Sequence, residues 1–350
     1  MVLAALVAAS AMSESGTSRH GGSDAASAVA GAARAQSAGR FVDGSISTAS
    51  GTRRWRLWVP DGYDGSRKYP LIVMLHGCTQ DPDDLARGSR VAGHADRNGI
   101  LVLLPEQPES ANPKKCWNWF DPAHQRRDAG EPSLIAGATR QVMDAWSVDR
   151  QRVYIAGISA GAAMASLVVV SYPELYAAAA LHSGIPYRAA SNVMEGVGVM
   201  AKGAADVTRL ATLARDEMGA RARRIPAIIL QGSDDPVVRP VNASQTRDAW
   251  LAMNELAAGT SSAGAARPTR TEAESGGLAV VRECHVARAN ARVCELELLM
   301  ISGLGHAWSG GSKAGTYTDE RGPDATAEIM RFLLAHAMPV PSSAPNARVP

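Results

Sequence analysis

The chain has 350 residues, of which 46% are hydrophobic, 20% charged and 5% aromatic. That length can bury a sizeable core, and the balance excludes a disordered chain, a collagen and a disulfide-dense miniprotein. Thirty-six Lys and Arg against 34 Asp and Glu leave a net charge of +2. That is too small an excess for a nucleic-acid footprint, and no apolar run is long enough for a transmembrane helix.

Residues 1–40 contain 13 Ala, 7 Ser and 5 Gly, a composition that cannot build a core and reads as a flexible tail. Residues 1–11 are mostly apolar, like the core of a signal peptide, with Ala9 and Ala11 as small residues near a cleavage point. The first basic residue is Arg19, so the basic n-region is missing. A cytosolic Ala-rich tail is the competing reading.

From residue 69 onward, short β-branched runs alternate with helical patterns. Apolar runs at 69–75, 100–104, 153–156, 177–181, 227–230 and 296–301 lack polar alternation, as expected of strands buried on both faces of a parallel sheet. Residues 53–59 are expected as an added antiparallel strand at the sheet edge. Leu134, Ile135, Ala138, Val142 and Trp146 recur at helical spacing behind a Glu131-Pro132-Ser133 start signal. A second helix carries Ala249, Leu251, Met253 and Leu256, and 325–337 is a terminal helix. The stretch 257–277, rich in Gly, Ser, Ala and Thr, reads as a surface loop. The pattern predicts one α/β domain over 41–340, with a mostly parallel sheet and helices on both faces, and a short tail over 341–350.

Four cysteines occur, Cys78, Cys116, Cys284 and Cys294. Strands flanking a turn near Ala289 would place Cys284 opposite Cys294, close enough for a disulfide. No C-x-x-C pair and no His cluster has metal-ligand spacing, so no metal is expected. The even count points to an oxidising compartment, extracellular or periplasmic, with a cytoplasmic location as the alternative.

Gly157-Ile158-Ser159-Ala160-Gly161 matches G-x-S-x-G. It stands between a strand and an apolar helical stretch, the context of the nucleophile elbow of the α/β-hydrolase fold. A serine nucleophile needs a general base, and the base needs an orienting carboxylate. In this fold they follow in the order Ser, acid, His, in loops at the carboxyl ends of strands. Asp234 and Asp235, after the fifth strand, compete for the acid. His306, after the sixth and in the loop Gly303-Leu304-Gly305-His306, takes the base position. The oxyanion hole would use the backbone N–H of Ala160 and of Cys78 in His76-Gly77-Cys78-Thr79-Gln80.

Those segments, with Cys116-Trp117-Asn118-Trp119-Phe120 and Gly305-His306-Ala307-Trp308-Ser309-Gly310-Gly311, resemble the poly(3-hydroxybutyrate) depolymerase family of esterases. The likeness runs from about residue 39 to about 336. The resemblance implies a triad of Ser159, Asp235 and His306, choosing Asp235 through the pattern Gly232, Asp235, Val238. Two positions depart from the family: Gln231, where a His is common, read as lying outside the chemistry, and Ala162, where a second Gly is usual. The resemblance further implies a cofactor-free serine esterase whose partner is an ester substrate. Trp117, Trp119 and Trp308 are expected to line the groove, and a Cys78–Cys116 bridge to join the oxyanion loop to the aromatic segment. With no Ser/Thr-rich linker or separate polymer-binding domain, soluble oligomers or amorphous polymer are the expected substrates. The rival readings are a feruloyl or acetyl-xylan type carboxylesterase and a catalytically silent polymer-binding protein.

Overall fold

The continuous apolar runs become strands because every residue in them can be buried on one sheet face or the other. In the computed structural model, which describes residues 39–259, 267–287 and 293–339, ten strands form one sheet. They are β1 (Arg40–Thr48), β2 (Gly51–Val59), β3 (Tyr69–Leu75), β4 (Leu101–Pro105), β5 (Val148–Ile158), β6 (Ala178–His182), β7 (Ala227–Gly232), β8 (Thr269–Ser275), β9 (Leu278–His285) and β10 (Leu296–Ile301). The spatial order is β1-β2-β4-β3-β5-β6-β7-β10-β9-β8. The six strands from β4 to β10 in that order run parallel, and antiparallel pairs extend both ends.

Helices cover both faces. On one lie α3 (Gly130–Ala145), α4 (Ala160–Ser171), α6 (Val207–Met218) and α7 (Val241–Ala258), whose buried side chains share one core with Leu71, Val73 and Leu75 of β3. On the other, α1 (Pro82–Ser89), α2 (Val91–Asn98) and α8 (Ala325–Leu334) share a second core with Ile72 and Met74, the alternate residues of the same strand. A further helix, α5 (Val193–Lys202), follows β6, and a short parallel pair, β11 (Trp308–Ser309) with β12 (Thr318–Asp319), follows β10.

Two expectations change. Residues 53–59 form β2, but the edge belongs to β1, which pairs with it along its whole length. Residues 257–277 are not one loop: α7 continues to Ala258, and 269–275 are the edge strand β8. Every residue of β8 is exposed, so it lacks the apolar alternation that marks a strand in sequence. The tails expected over 1–40 and 341–350, and the turn near Ala289, lie outside the described residues, except that Arg40 opens β1. Cys284 and Cys294 are bridged, as are Cys78 and Cys116.

Candidate active site

Four strand ends, those of β3, β5, β7 and β10, converge on one edge of the sheet, and each is followed by a loop carrying a candidate residue. After β5 the chain turns sharply into α4 at Ser159, whose φ of 57° and ψ of −123° lie where L residues rarely sit. Such a backbone costs about 1–3 kcal/mol and persists only when its surroundings hold it. Here the Ser159 N–H donates to the His182 carbonyl at 2.9 Å, and its own carbonyl accepts from the Ala163 N–H at 3.0 Å. Glycine is required on both sides by close approach. A Cβ on Gly161 would lie 2.2 Å from the Leu75 carbonyl oxygen, and one on Gly157 would lie 2.4 Å from Gly161. Ala162 is accommodated because its neighbour is Gly184, where a Cβ would stand 2.9 Å from that of Ala162.

After β7, the Asp235 side chain is fully buried and accepts hydrogen bonds on both oxygens. Oδ1 takes the N–H groups of Val237 and Val238, each at 2.9 Å. Oδ2 takes His306 Nδ1 at 2.7 Å and Gln231 Nε2 at 3.1 Å. Burial opposes the charge on this carboxylate, but the hydrogen bond and charge of His306, with the two backbone N–H groups, outweigh it and hold the pKa below the ordinary carboxylate range. Asp234 turns away, accepting from the Ser233 hydroxyl in an exposed setting. Gln231, read from sequence as outside the chemistry, is instead buried against the acid and also donates to the Val238 carbonyl at 3.0 Å.

The loop after β3 is held from every side. His76 is buried, which lowers its pKa and keeps the ring neutral. The Gln107 N–H donates to its Nε2 at 3.0 Å, so Nδ1 carries the proton and donates to the Gly77 carbonyl at 2.8 Å. Gln80 Oε1 accepts the Gly77 N–H at 3.0 Å, and the Thr79 N–H donates to the Lys114 carbonyl at 2.6 Å. Among the described residues, neither the Cys78 N–H nor the Ala160 N–H is engaged by another protein group. Both flank Ser159, and Ala160 opens the twelve-residue α4, whose amino end favours developing negative charge.

Behind this loop, buried Glu131 gathers the segment 107–118. It accepts from Gln107 Nε2 at 2.6 Å and from the Asn118 N–H and Nδ2, each at 2.7 Å. The Cys78–Cys116 disulfide closes the same unit.

Two cavities meet at Ser159. One, of about 170 Å³, is lined by Gly77, Cys78, Gln80, Ile158, Ser159, Met200, Val237, His306 and Tyr317. The other, of about 30 Å³, is lined by Cys78, Trp119, Ser159, Ala160, Ala163, Ser183, Ile185, Met200 and Val238. Ser159 and His306 thus share a wall, although no hydrogen bond joins their side chains among the described residues. Free enzymes often leave that contact loose until substrate arrives.

Of the three tryptophans expected at the groove, Trp119 lines the smaller cavity. Trp117 is fully buried and donates Nε1 to the His76 carbonyl at 3.1 Å. Trp308 is buried too, donating to Thr326 Oγ1 at 3.1 Å and stacked on the His182 ring. Both rings pack the core because their indole N–H finds a partner there. Met200 and Tyr317, which the sequence did not single out, stand on the cavity walls in their place. No group of three or more His, Cys, Asp or Glu able to hold a metal occurs among the described residues.

The model of the family described as Esterase PHB depolymerase matches residues 53–275. Poly(3-hydroxyalkanoate) depolymerase C of Paucimonas lemoignei is 35% identical over 206 residues, 58% of this chain and 49% of that protein. Feruloyl esterase B of Neurospora crassa is 33% identical over 135 residues, 38% of this chain and 44% of that protein. The chain therefore spans about half the length of these relatives. Among solved structures, an acetyl xylan esterase from Aspergillus awamori superposes with a TM-score of 0.63 at 19% identity, covering 83% of this chain and 98% of that one. The shared architecture is the α/β-hydrolase fold.

Proposed function

We propose, for a chain that belongs to the Esterase PHB depolymerase family, that it hydrolyses carboxylic esters through an acyl-enzyme at Ser159. Ser159 Oγ attacks the ester carbonyl while His306 Nε2 takes its proton. Asp235, bonded at Nδ1, orients the ring and stabilises the imidazolium. The Cys78 and Ala160 N–H groups receive the oxyanion. The tetrahedral adduct collapses, the C–O bond to the alcohol breaks, and His306 returns the proton to the departing oxygen. Water then repeats the sequence on the acyl-enzyme and frees the acid. The observation that carries this reading is the meeting, at one cavity, of Ser159 on its left-handed backbone with His306 bonded at 2.7 Å to a buried carboxylate.

The substrate favoured first is an uncharged 3-hydroxyalkanoate oligomer or amorphous polyester. Val193, Met194 and Val197 of α5 and Val237 of the cavity wall are exposed apolar side chains on a protein of net charge +2, a surface suited to an uncharged, weakly polar ligand. A second reading, an acetyl-type ester of a polysaccharide, is favoured by the smaller cavity, whose 30 Å³ suits a short acyl group. Two disulfides favour an extracellular or periplasmic site of action.

Ser159→Ala is expected to abolish hydrolysis of p-nitrophenyl butyrate, lowering kcat by at least about 10⁴-fold. Full activity in that variant would remove the reading. Parallel assays on hydroxybutyrate oligomers, acetylated xylan and feruloyl esters rank the substrate classes.

A further inference from the structure

We propose that Tyr317 recognises the alcohol portion of the ester, making it a specificity residue on the leaving-group side; the inference rests on the esterase reading above. An ester carbonyl placed at Ser159 must send its acyl chain one way and its alkoxy oxygen another. The two cavities that meet at Ser159 differ in a decisive respect: the larger contains His306 and the smaller does not. Because the imidazole must protonate the departing oxygen, the alcohol occupies the larger cavity and the acyl group the smaller. The alcohol side then has its own wall, to which Tyr317 contributes and the acyl side does not share.

Tyr317 is built into that wall. Its backbone has a φ of 51°, in the left-handed region that a bulky aromatic residue rarely adopts. Such a conformation survives where the surroundings over-determine it, and it concentrates at ligand sites. The Thr316 N–H donates to Asp84 Oδ1 at 3.0 Å, Gln80 Nε2 donates to the Thr316 carbonyl at 3.1 Å, and the Trp308 N–H donates to the Tyr317 carbonyl at 2.8 Å. The loop that begins at His306 is thereby folded back onto the loop that carries Cys78. The ring then stands edge-on to the His306 imidazole, centroids 6.3 Å apart, beside the point where the leaving oxygen is protonated.

The phenol end supplies a polar contact. Thr79 Oγ1 donates to the Cys78 carbonyl at 2.6 Å, so the Tyr317 hydroxyl, 3.1 Å from Thr79 Oγ1, is the donor in the hydrogen bond between Tyr317 and Thr79. Tyr317 is 42% exposed and lines the larger cavity. The phenolic proton rests on Thr79 Oγ1 in the free protein and turns to a carbonyl oxygen when one arrives, so the apolar ring and its tip match an alcohol that carries alkyl groups and, further along, a second ester carbonyl, as in an internal unit of a hydroxyalkanoate chain.

Two ester series test the assignment on the full-length protein. One keeps a butyryl acyl group and lengthens the alcohol from methyl to hexyl and to a 3-hydroxybutyrate ester; the other keeps the alcohol and lengthens the acyl group. For Tyr317→Ala, kcat/KM is expected to fall by about tenfold for the larger alcohols and little for methyl, mainly through KM, with no trend along the acyl series. Tyr317→Phe keeps the ring and should match the parent on simple alkyl esters, losing about threefold only where the alcohol carries a second carbonyl. A uniform loss along both series, or a trend along the acyl series, would overturn the inference while leaving the esterase standing. If the parent protein hydrolyses no member of either series, the esterase reading itself falls, and this inference with it.

Discussion

Asp235 shares Oδ2 between His306 and Gln231, so the acid is oriented from two directions, one of them invisible to the triad description. Gln231 is fully buried, and its Nε2 has three acceptors around it, which leaves it no freedom to turn. Gln231→Leu removes a donor to a buried charge, a contact worth about 1.5–3 kcal/mol. We expect kcat to fall about tenfold with KM little changed, since the released carboxylate no longer fixes the His306 ring in the orientation the proton transfers need. Gln231→His, which restores a donor, should recover most of the rate. Equal kcat for the Leu variant and the parent would show that Gln231 only fills space. The position could not be read from sequence because nothing local couples a glutamine at the end of β7 to an aspartate four residues later; the turn between them does. Tyr317 escaped notice for the same reason, being separated from His306 by a loop that returns on itself, whereas Ser159 and His306 stood out because glycine-flanked loops at strand ends carry a local signature.

At the level of elements, the disulfide between Cys78 and Cys116 ties the loop after β3 to the segment 107–118, while the one between Cys284 and Cys294 staples β9 to the residues just before β10. The two close loops of different length, with sequence separations of 38 and 10. Loop-closure entropy assigns them about 4 and about 3 kcal/mol respectively. Cys116→Ser should therefore lower both the melting temperature and kcat, because Cys78, the proposed oxyanion donor, sits on the released loop. Cys294→Ser should lower the melting temperature and leave kcat within about twofold. Calorimetry paired with ester kinetics separates the two, and an unchanged kcat in Cys116→Ser would show that His76, Gln80 and Glu131 suffice to hold the loop. The central strands were legible because β3, β4, β6 and β7 are buried from end to end. The outer strands were not: β8 is wholly exposed and β1 mostly half-buried or exposed, so their place is set by backbone pairing with β9 and β2, which leaves little trace in side-chain pattern.

For the molecule as a whole, acid stability follows from histidines buried in the neutral state. Burial, reinforced by the charge of His306 and only partly opposed by Asp235, depresses His182 to about 3. Burial likewise lowers His76 and His285. Their unfolded values lie near 6.5, so as pH falls the unfolded chain takes up protons first. Stability is then full above about pH 6.5 and declines from there toward pH 3. Asp235, whose folded pKa is lowered, acts only below the ordinary carboxylate range, its contribution being present above about 3.9 and lost as pH falls through the lower folded value. The window from pH 6.5 to 4.5 is therefore dominated by the histidines, with Glu295, whose pKa burial raises, acting the other way, and His182 alone accounts for roughly 2 kcal/mol of loss across it. Urea unfolding at several pH values should show that slope, and His182→Phe, which keeps a ring against Trp308, should flatten it. A parent protein equally stable at pH 7 and 4.5 would contradict the assignment.

The central claim, that Ser159 is the nucleophile of an esterase whose base is His306, is tested most directly by covalent trapping. The intact protein is treated with a fluorophosphonate and digested, and the modified peptide is located by mass spectrometry. The account predicts one phosphonylated residue, Ser159, with labelling at least about 100-fold slower in His306→Ala. A chain that remains unlabelled, or that carries the label on another residue while Ser159 stays free, would contradict it.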